Sequence, residues 1–121
     1  MLFDETPDIG WGQNGGFQAI NLACRFGAAE ILLVGFDCSI EKGVHFHGSH
    51  PSPLTNPKQG SVDQWRAFLD AAAPALAAAG VQVINCSHHS RLAAFERRPL
   101  LEALSCPRSP STMATTSSAI A

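Results

Sequence analysis

A short uninterrupted apolar run, I-L-L-V at positions 31–34, is the clearest pattern in the chain. Runs of this kind are typical of a strand that is buried on both faces of a parallel sheet. Gly35, Phe36 and Asp37 follow directly, so the carboxylate of Asp37 is expected just past the carboxyl end of the strand. Open α/β sheets bind their ligands at that edge, which makes Asp37 a candidate site residue.

A helix is predicted before this strand. Phe17, Ile20 and Cys24 recur at the spacing of one helical face. Asn14 is a residue type that caps the amino end of helices, and Gly27 is one that ends them. The pattern therefore predicts a helix that begins near Asn14 and stops at Gly27.

A second helix and a second strand are predicted further along the chain. The helix is expected to be capped by Ser61 and to be kinked or split by Pro74. Its apolar stripe consists of Trp65, Phe68, Leu69, Ala72 and Leu76. The β-branched residues of positions 81–86 predict the strand. Pro99 is expected to open a short last helix that ends near Leu104.

The order helix, strand, helix, strand predicts an α/β fold in which the two strands are joined by a right-handed parallel crossover. The residues expected to share its core are Leu33, Val34, Ile84 and Phe68. Residues 1–106 are predicted to form a single domain. The Ser-, Thr-, Ala- and Pro-rich residues 107–121 are predicted to form a disordered tail.

Composition and charge are those of an ordinary globular domain. Hydrophobic residues make up 45% and charged residues 15%, and the net charge of −2 favours neither nucleic acid nor an anionic membrane surface as a partner. No segment has the pattern of a membrane span or a signal peptide. The four cysteines form no C-x-x-C pair, so we expect free thiols and a reducing, cytoplasmic compartment. Arg97 and Arg98 are expected to be a solvated pair, or to meet an anion from a partner subunit.

The connection predicted between the first strand and the second helix is long and rich in histidine. It covers residues 39–61, whereas connections are usually about 4–6 residues long. Alternation along an extended segment puts His45 and His47 on one side and Phe46 on the other. One imidazole can then act as an acid or base or contact a phosphate or sugar, and two can join a metal site. Ordinary solvent-exposed histidines are the remaining interpretation.

Two further segments are candidates for ligand binding. The N–H groups at residues 14–16 can meet a phosphate at a helix start, although a capped turn explains the same residues. Asn85 and Ser87, with His88 and His89 after them, end the second strand. If the strands are parallel, they share one sheet edge with Asp37. An ordinary strand-to-helix turn is the alternative.

A resemblance to known proteins covers most of the chain, roughly residues 12–104. It is carried by the run N-G-G-F-Q-A-I-N-L-A-C-R-F-G-A-A-E-I-L-L-V-G-F-D-C, by H-F-H-G-x-H and by V-Q-V-I-N-C-S. The chain resembles Rossmann-like proteins of phages and bacteria that are similar to the 6-hydroxymethylpterin diphosphokinase-like family. More distantly, these are similar to the sialyltransferases of glycosyltransferase family 42.

The resemblance implies a partial Rossmann-like, doubly wound parallel sheet with flanking helices. It also implies binding of a nucleotide or nucleotide-sugar, with glycosyl or phosphoryl transfer as the reaction; no cofactor is identified. The candidate catalytic residues for such a reaction are Asp37, His45 and His47. The candidate ligand-binding residues are Asn14, Gly15, Gly16, Asn85 and Ser87. A non-catalytic phage-type accessory protein and a small histidine-centred metal-binding domain are the alternatives.

One difference from the family concerns the first strand and its turn. Those relatives begin with a further βα unit that has no counterpart in this sequence, so the chain looks like the carboxyl-terminal half of the family fold. Two strands are few for a stable sheet, and the predicted strands carry no Lys or Pro to protect an open edge. We therefore expect a homo-oligomer or a missing amino-terminal half to complete the sheet.

Overall fold

Three helices and three strands form in residues 8–41 and 49–106, the part of the chain that the computed structural model describes. In chain order they are α1 (Gly15–Arg25), β1 (Glu30–Leu33), α2 (Gln59–Ala78), β2 (Gln82–Asn85), β3 (Glu96–Arg97) and α3 (Leu100–Ser105). The predicted α/β fold is confirmed. The predicted tail lies outside the described residues, and the single domain over residues 1–106 stays a prediction.

The strands form a parallel sheet in the order β1-β2-β3. Leu33 of β1 lies opposite Asn85 of β2, and Asn85 lies opposite Arg97 of β3. The predicted parallel pairing of the first two strands is thus confirmed, with α2 as the connection between them. β3 was not predicted, because two residues are too few to show a period. β1 lies at one edge of the described sheet, and the expected self-association stays a prediction.

The core lies between the sheet and the helices, but of the four residues predicted to share it only Leu33 belongs to the main buried cluster, and Ile84 is buried apart from that cluster. Leu33 and Ile84 are buried, with 1% and 0% of their surface exposed. The prediction was wrong for Val34, which is 58% exposed, and for Phe68, which is 38% exposed. Val34 lies beyond the last residue of β1, where the sheet no longer covers it. The residues of the main buried cluster are Phe17, Ile20, Leu33, Leu69, Ala72, Leu76, Val81, Val83, Leu92 and Phe95.

Both predicted ends of α1 are confirmed. The Asn14 side chain caps the helix, because its Oδ1 accepts a hydrogen bond from the N–H of Phe17 at 2.8 Å. Gly27 follows the last turn with a φ of 87°, the left-handed conformation that glycine adopts most readily. The face formed by Phe17 and Ile20 is buried, and Cys24 packs against the same core. The helix start is therefore fixed in position against the sheet.

The segment before α1 is held against that helix by side chains. Oδ1 of the fully buried Asn21 accepts hydrogen bonds from the N–H of Gly10 and from Nε of Arg25. The guanidinium of Arg25 also contacts the carbonyl of Asp8. Gly12 has a φ of 50°, and a Cβ there would lie 2.1 Å from a ring carbon of Phe17. Only glycine fits at this turn, which leads directly into the Asn14 cap.

The predicted start of α2 was wrong, and so was the alternative in which Pro74 splits the helix in two. The helix begins at Gln59 rather than after Ser61, and the Gln59 side chain donates to Oδ1 of Asp63 across the first turn. Pro74 does not split the helix, which continues to Ala78. A proline inside a helix costs about 3 kcal/mol. Buried residues on both sides of it, Ala72 and Leu76, offset that cost by packing on the sheet.

Three further predictions concern the cysteines, the last helix and membrane-spanning segments. All four cysteines are free thiols, as predicted, and the last short helix forms after Pro99. In the two described ranges, no helix combines the length and the apolar character that crossing a membrane takes.

Candidate binding cleft

A cleft of about 940 Å³ opens at the carboxyl edge of the sheet, where β1 and β2 end. Its walls come from the start of α1, the loop after β1, the first half of α2, and the connection between β2 and β3. The lining residues are Asn14, Gly16, residues 35–41, Pro57, Val62, Trp65, Leu69, residues 88–91 and Arg97. Because the two strands are parallel, their loops meet on one side of the sheet and can act on one ligand.

Asp37 lies in this cleft, with its side chain exposed to solvent. Its carbonyl accepts a hydrogen bond from the N–H of Arg91 at 2.9 Å, which ties the loop after β1 to the loop after β2. Asn14 and Gly16 also line the cleft, whereas Gly15 belongs to the same turn without being among the lining residues. His45 and His47 lie outside the described residues. Their roles stay predictions.

Asn85 and Ser87 are buried, with 1% and 4% of their surface exposed, and they are not among the lining residues. Asn85 Nδ2 donates to Ser90 Oγ at 2.8 Å, and its Oδ1 accepts from the Ser87 N–H at 3.1 Å. Ser87 Oγ accepts from the Phe36 N–H, and the Ser90 hydroxyl donates to the Phe36 carbonyl. The two strand-end loops are therefore joined by side chains that were predicted as ligand contacts. That binding role stays a prediction.

At the start of α1, side chains of the protein itself already take up some of the backbone N–H groups and some of the surface. Asn14 uses its Oδ1 for the Phe17 N–H and donates from Nδ2 to the carbonyl of Gly12 at 3.0 Å. The Phe36 ring packs so closely that a Cβ at Gly16 would lie 2.7 Å from it. One of the four N–H groups that a helix start leaves without an internal partner is thus already satisfied by the cap. The aromatic ring covers another part of the turn.

Arg97 lines the cleft, a position that the sequence did not predict for it. Its guanidinium donates to the carbonyls of Ser90 at 3.0 Å and Ser87 at 2.8 Å, with a longer contact of 3.4 Å to His88. Arg98, by contrast, pairs with the carboxylate of Glu96 on the surface. Arg97 is exposed, as the expected solvated pair requires, but backbone carbonyls hold its guanidinium. The signal was absent because a strand of two residues has no recognisable pattern.

The thiol of Cys38 lies in the cleft wall close to several charges. Burial, helped by the carboxylates of Asp70 and Asp37 and opposed by the Arg66 guanidinium, raises the pKa of Cys38 to about 11. Cys38 also has a φ of 52°, a left-handed conformation that is uncommon for this residue type. The thiol is protonated at neutral pH, so it is not a nucleophile there.

This shift predicts a difference in stability at alkaline pH. The pKa of Cys38 rises from 9.0 to about 11 on folding, so the stabilisation is complete below pH 9 and is lost as the pH rises to 11. Cys38→Ser does not titrate in this range, so its melting temperature should fall less than that of the wild type between pH 9 and 11. Cys106→Ser, at an exposed position, should follow the wild type. Parallel curves for all three proteins would contradict the assigned shift.

Within the described ranges, no three His, Cys, Asp or Glu side chains are grouped closely enough to hold a metal ion. Searches of protein-family models, curated proteins and solved structures gave no match. The cleft is therefore interpreted from its own geometry.

Proposed function

We propose that this chain is a Rossmann-like protein whose cleft binds a nucleotide or nucleotide-sugar. The observation that carries the proposal is the meeting of two parallel strand ends at one open cleft, with their loops joined by the hydrogen bonds between Phe36 and Ser87 and between Asp37 and Arg91. Ligands of open α/β sheets bind at this edge, in the crevice outside the carboxyl ends of the strands. The resemblance of residues 12–104 to Rossmann-like proteins supports the same class of ligand.

The opposite walls of the cleft have the chemistry that the two halves of such a ligand need. The α2 wall is apolar and contributes Val62, Trp65 and Leu69, against which a planar base can pack. The wall from the β2–β3 connection contributes Arg91 and Arg97, whose guanidinium groups suit phosphate oxygens. A ligand that joins a base to a phosphate matches both walls at once.

The loop after β1 supplies groups for the sugar that connects base and phosphate. Asp37, Ser39 and Glu41 line the cleft there, and carboxylate oxygens accept hydrogen bonds from sugar hydroxyls. In the proposed reaction, glycosyl or phosphoryl transfer, Asp37 orients a substrate hydroxyl and His45 or His47 acts as the acid or base. General acid–base help of this kind is worth about 10²–10⁴-fold in rate.

The proposed fold is the carboxyl-terminal part of a doubly wound sheet. α1 and α2 both contribute to the core that covers Leu33 and Val83, as helices that flank successive parallel strands do. β1 lies at the edge of the described sheet, so a second copy of the chain or an amino-terminal half can pair with it. We place the protein in the cytoplasm, in line with its free thiols.

A thermal-shift screen followed by calorimetry tests the proposed ligand. We expect UDP, CMP, ATP or UDP-N-acetylglucosamine to stabilise the protein, by about 2.7 kcal/mol at 100 times the dissociation constant. The matching nucleosides, which lack phosphate, should bind more weakly because they use only the apolar wall. Zinc in a separate well tests the metal-binding alternative. Stabilisation by zinc alone, with no response to any nucleotide, would contradict nucleotide binding.

A further inference from the structure

We infer that the phosphate of the ligand is bound at the loop of residues 87–90 by Arg97, and not at the start of α1. The inference rests on the proposed function, and it deepens that function by assigning one end of the cleft to the anion. It starts from the way in which Arg97 is held. A cation that is fixed before the ligand arrives loses little freedom on binding.

Three backbone carbonyls hold the Arg97 guanidinium in place, those of Ser87, His88 and Ser90. These contacts come from Nη1 and Nη2, and an arginine has five N–H donors in a planar fork. Donors therefore remain for a second partner on a group whose orientation is already set. A phosphate is a partner that suits the remaining donors, because its oxygens accept hydrogen bonds and its charge is opposite to that of the guanidinium.

The positive charge of Arg97 is not cancelled by its neighbours. Carbonyl groups orient the guanidinium but carry no net charge, and no carboxylate pairs with Arg97 among the residues that the structure describes. Arg98, one residue along the chain, is paired with Glu96. Of these two adjacent arginines, only Arg97 lines the cleft. The anion site is therefore assigned to Arg97.

The surrounding residues of this wall are also suited to an anion. His88 and His89 line the cleft beside Arg97, with their ring centroids 4.8 Å apart in an edge-to-face arrangement. Arg91 adds a second guanidinium, whose contact with Asp63 is only a long surface pair at 4.0 Å. Exposed pairs of this kind contribute little, so Arg91 can turn toward a stronger anionic partner.

The start of α1 is the competing position, and its geometry is less favourable. The Asn14 side chain already takes the Phe17 N–H, and the ring of Phe36 packs against Gly16. A phosphate at this turn has to compete with the cap and to approach past an aromatic ring. The same turn supplies no side-chain cation, since the lining residues there are Asn14 and Gly16.

Inorganic pyrophosphate is the probe that tests this assignment, because it contains the anion without a base or sugar. We expect Arg97→Gln to weaken its binding about 10- to 100-fold, the effect of losing hydrogen bonds to a charged group. Arg97→Lys should restore part of the affinity, because the charge remains and the planar fork does not. Arg98→Gln is the matched control and should bind as the wild type does.

A folding defect is separated from a lost anion site by two further measurements. Each variant is checked by its thermal melt, and its affinity for the nucleoside that corresponds to the best nucleotide reports whether the apolar wall is intact. Selective loss of pyrophosphate and nucleotide binding in the Arg97 variants, with nucleoside binding kept, is the supporting result. Loss of nucleoside binding as well would assign Arg97 a structural role and overturn the inference.

The remaining outcomes distinguish this inference from the proposed function. If the wild type binds nucleotides and Arg97→Gln binds them equally well, the anion site lies elsewhere while the proposed function stands. If the wild type binds pyrophosphate through Arg97 but no nucleotide, the anion site stands and the proposed function is wrong. If the wild type binds neither, both are wrong.

Discussion

Replacing Leu33 by alanine is expected to lower the free energy of unfolding by about 2–5 kcal/mol. Leu33 is the last residue of β1, exposes 1% of its surface, and belongs to the cluster that joins the sheet to α1 and α2. Truncation removes buried methyl groups and leaves a cavity that the neighbouring helices can fill only in part. Because domains of this size have about 5–15 kcal/mol of stability, the variant should unfold at a much lower urea concentration.

The next residue provides the matched control. Val34 is equally apolar but 58% exposed, so Val34→Ala should change the free energy of unfolding by about 0.5 kcal/mol or less. Urea denaturation of both variants, followed by circular dichroism, gives the comparison directly. Equal losses at positions 33 and 34 would show that the strand continues past Leu33 and that the sheet covers both side chains.

This pair of residues also shows the limit of what the apolar pattern predicts. The run at positions 31–34 identified a strand correctly, but its burial on both faces was predicted wrongly, because only Leu33 of β1 is buried and the other three residues of the strand are partly exposed. It did not identify the strand's end, since Val34 is as apolar as Leu33. The end is set by the sheet, where Leu33 pairs with Asn85 and the next residue leads into Gly35 with a φ of 76°.

In α2, likewise, the sequence predicted that a helix forms but did not predict correctly which of its residues face the sheet. The spacing in α2 predicted a helix, and Leu69, Ala72 and Leu76 of the predicted stripe are buried. Phe68 is one residue from Leu69, which rotates it by about 100° around the helix and away from the buried line. The orientation of a helix against its sheet is a tertiary property, so spacing alone assigned Phe68 to the wrong side.

The candidate site was predictable where it depends on topology and unpredictable where it depends on single contacts. Parallel strands end at one edge, which placed Asp37 beside the loop after β2, and the hydrogen bond between Asp37 and Arg91 agrees with that. Arg97 reaches the cleft through a strand of two residues and three carbonyl contacts. Neither the two-residue strand nor the carbonyl contacts of Arg97 produce a periodic pattern in the sequence.

The polar residues after β2 illustrate the same difficulty. An amide or hydroxyl at a strand end can bind a ligand or bind the protein itself, and the residue type is the same in both cases. Asn85 and Ser87 are buried and bonded to Ser90 and Phe36. Their contacts indicate that they hold the two cleft loops together, and this interpretation can be tested at Asn85.

Asn85→Ala is expected to lower the free energy of unfolding by about 2–4 kcal/mol, because the buried N–H of Ser87 loses its acceptor and a cavity forms beside Ser90. Gln82→Ala, at the partly exposed start of the same strand, is the control and should change it by about 0.5 kcal/mol or less. Hydrogen exchange at the Phe36 N–H, which Ser87 holds, should accelerate in the Asn85 variant. If Asn85 instead contacts the ligand directly, the variant will keep its stability and slow exchange at Phe36 while nucleotide binding is lost. That outcome would overturn its role in joining the two loops.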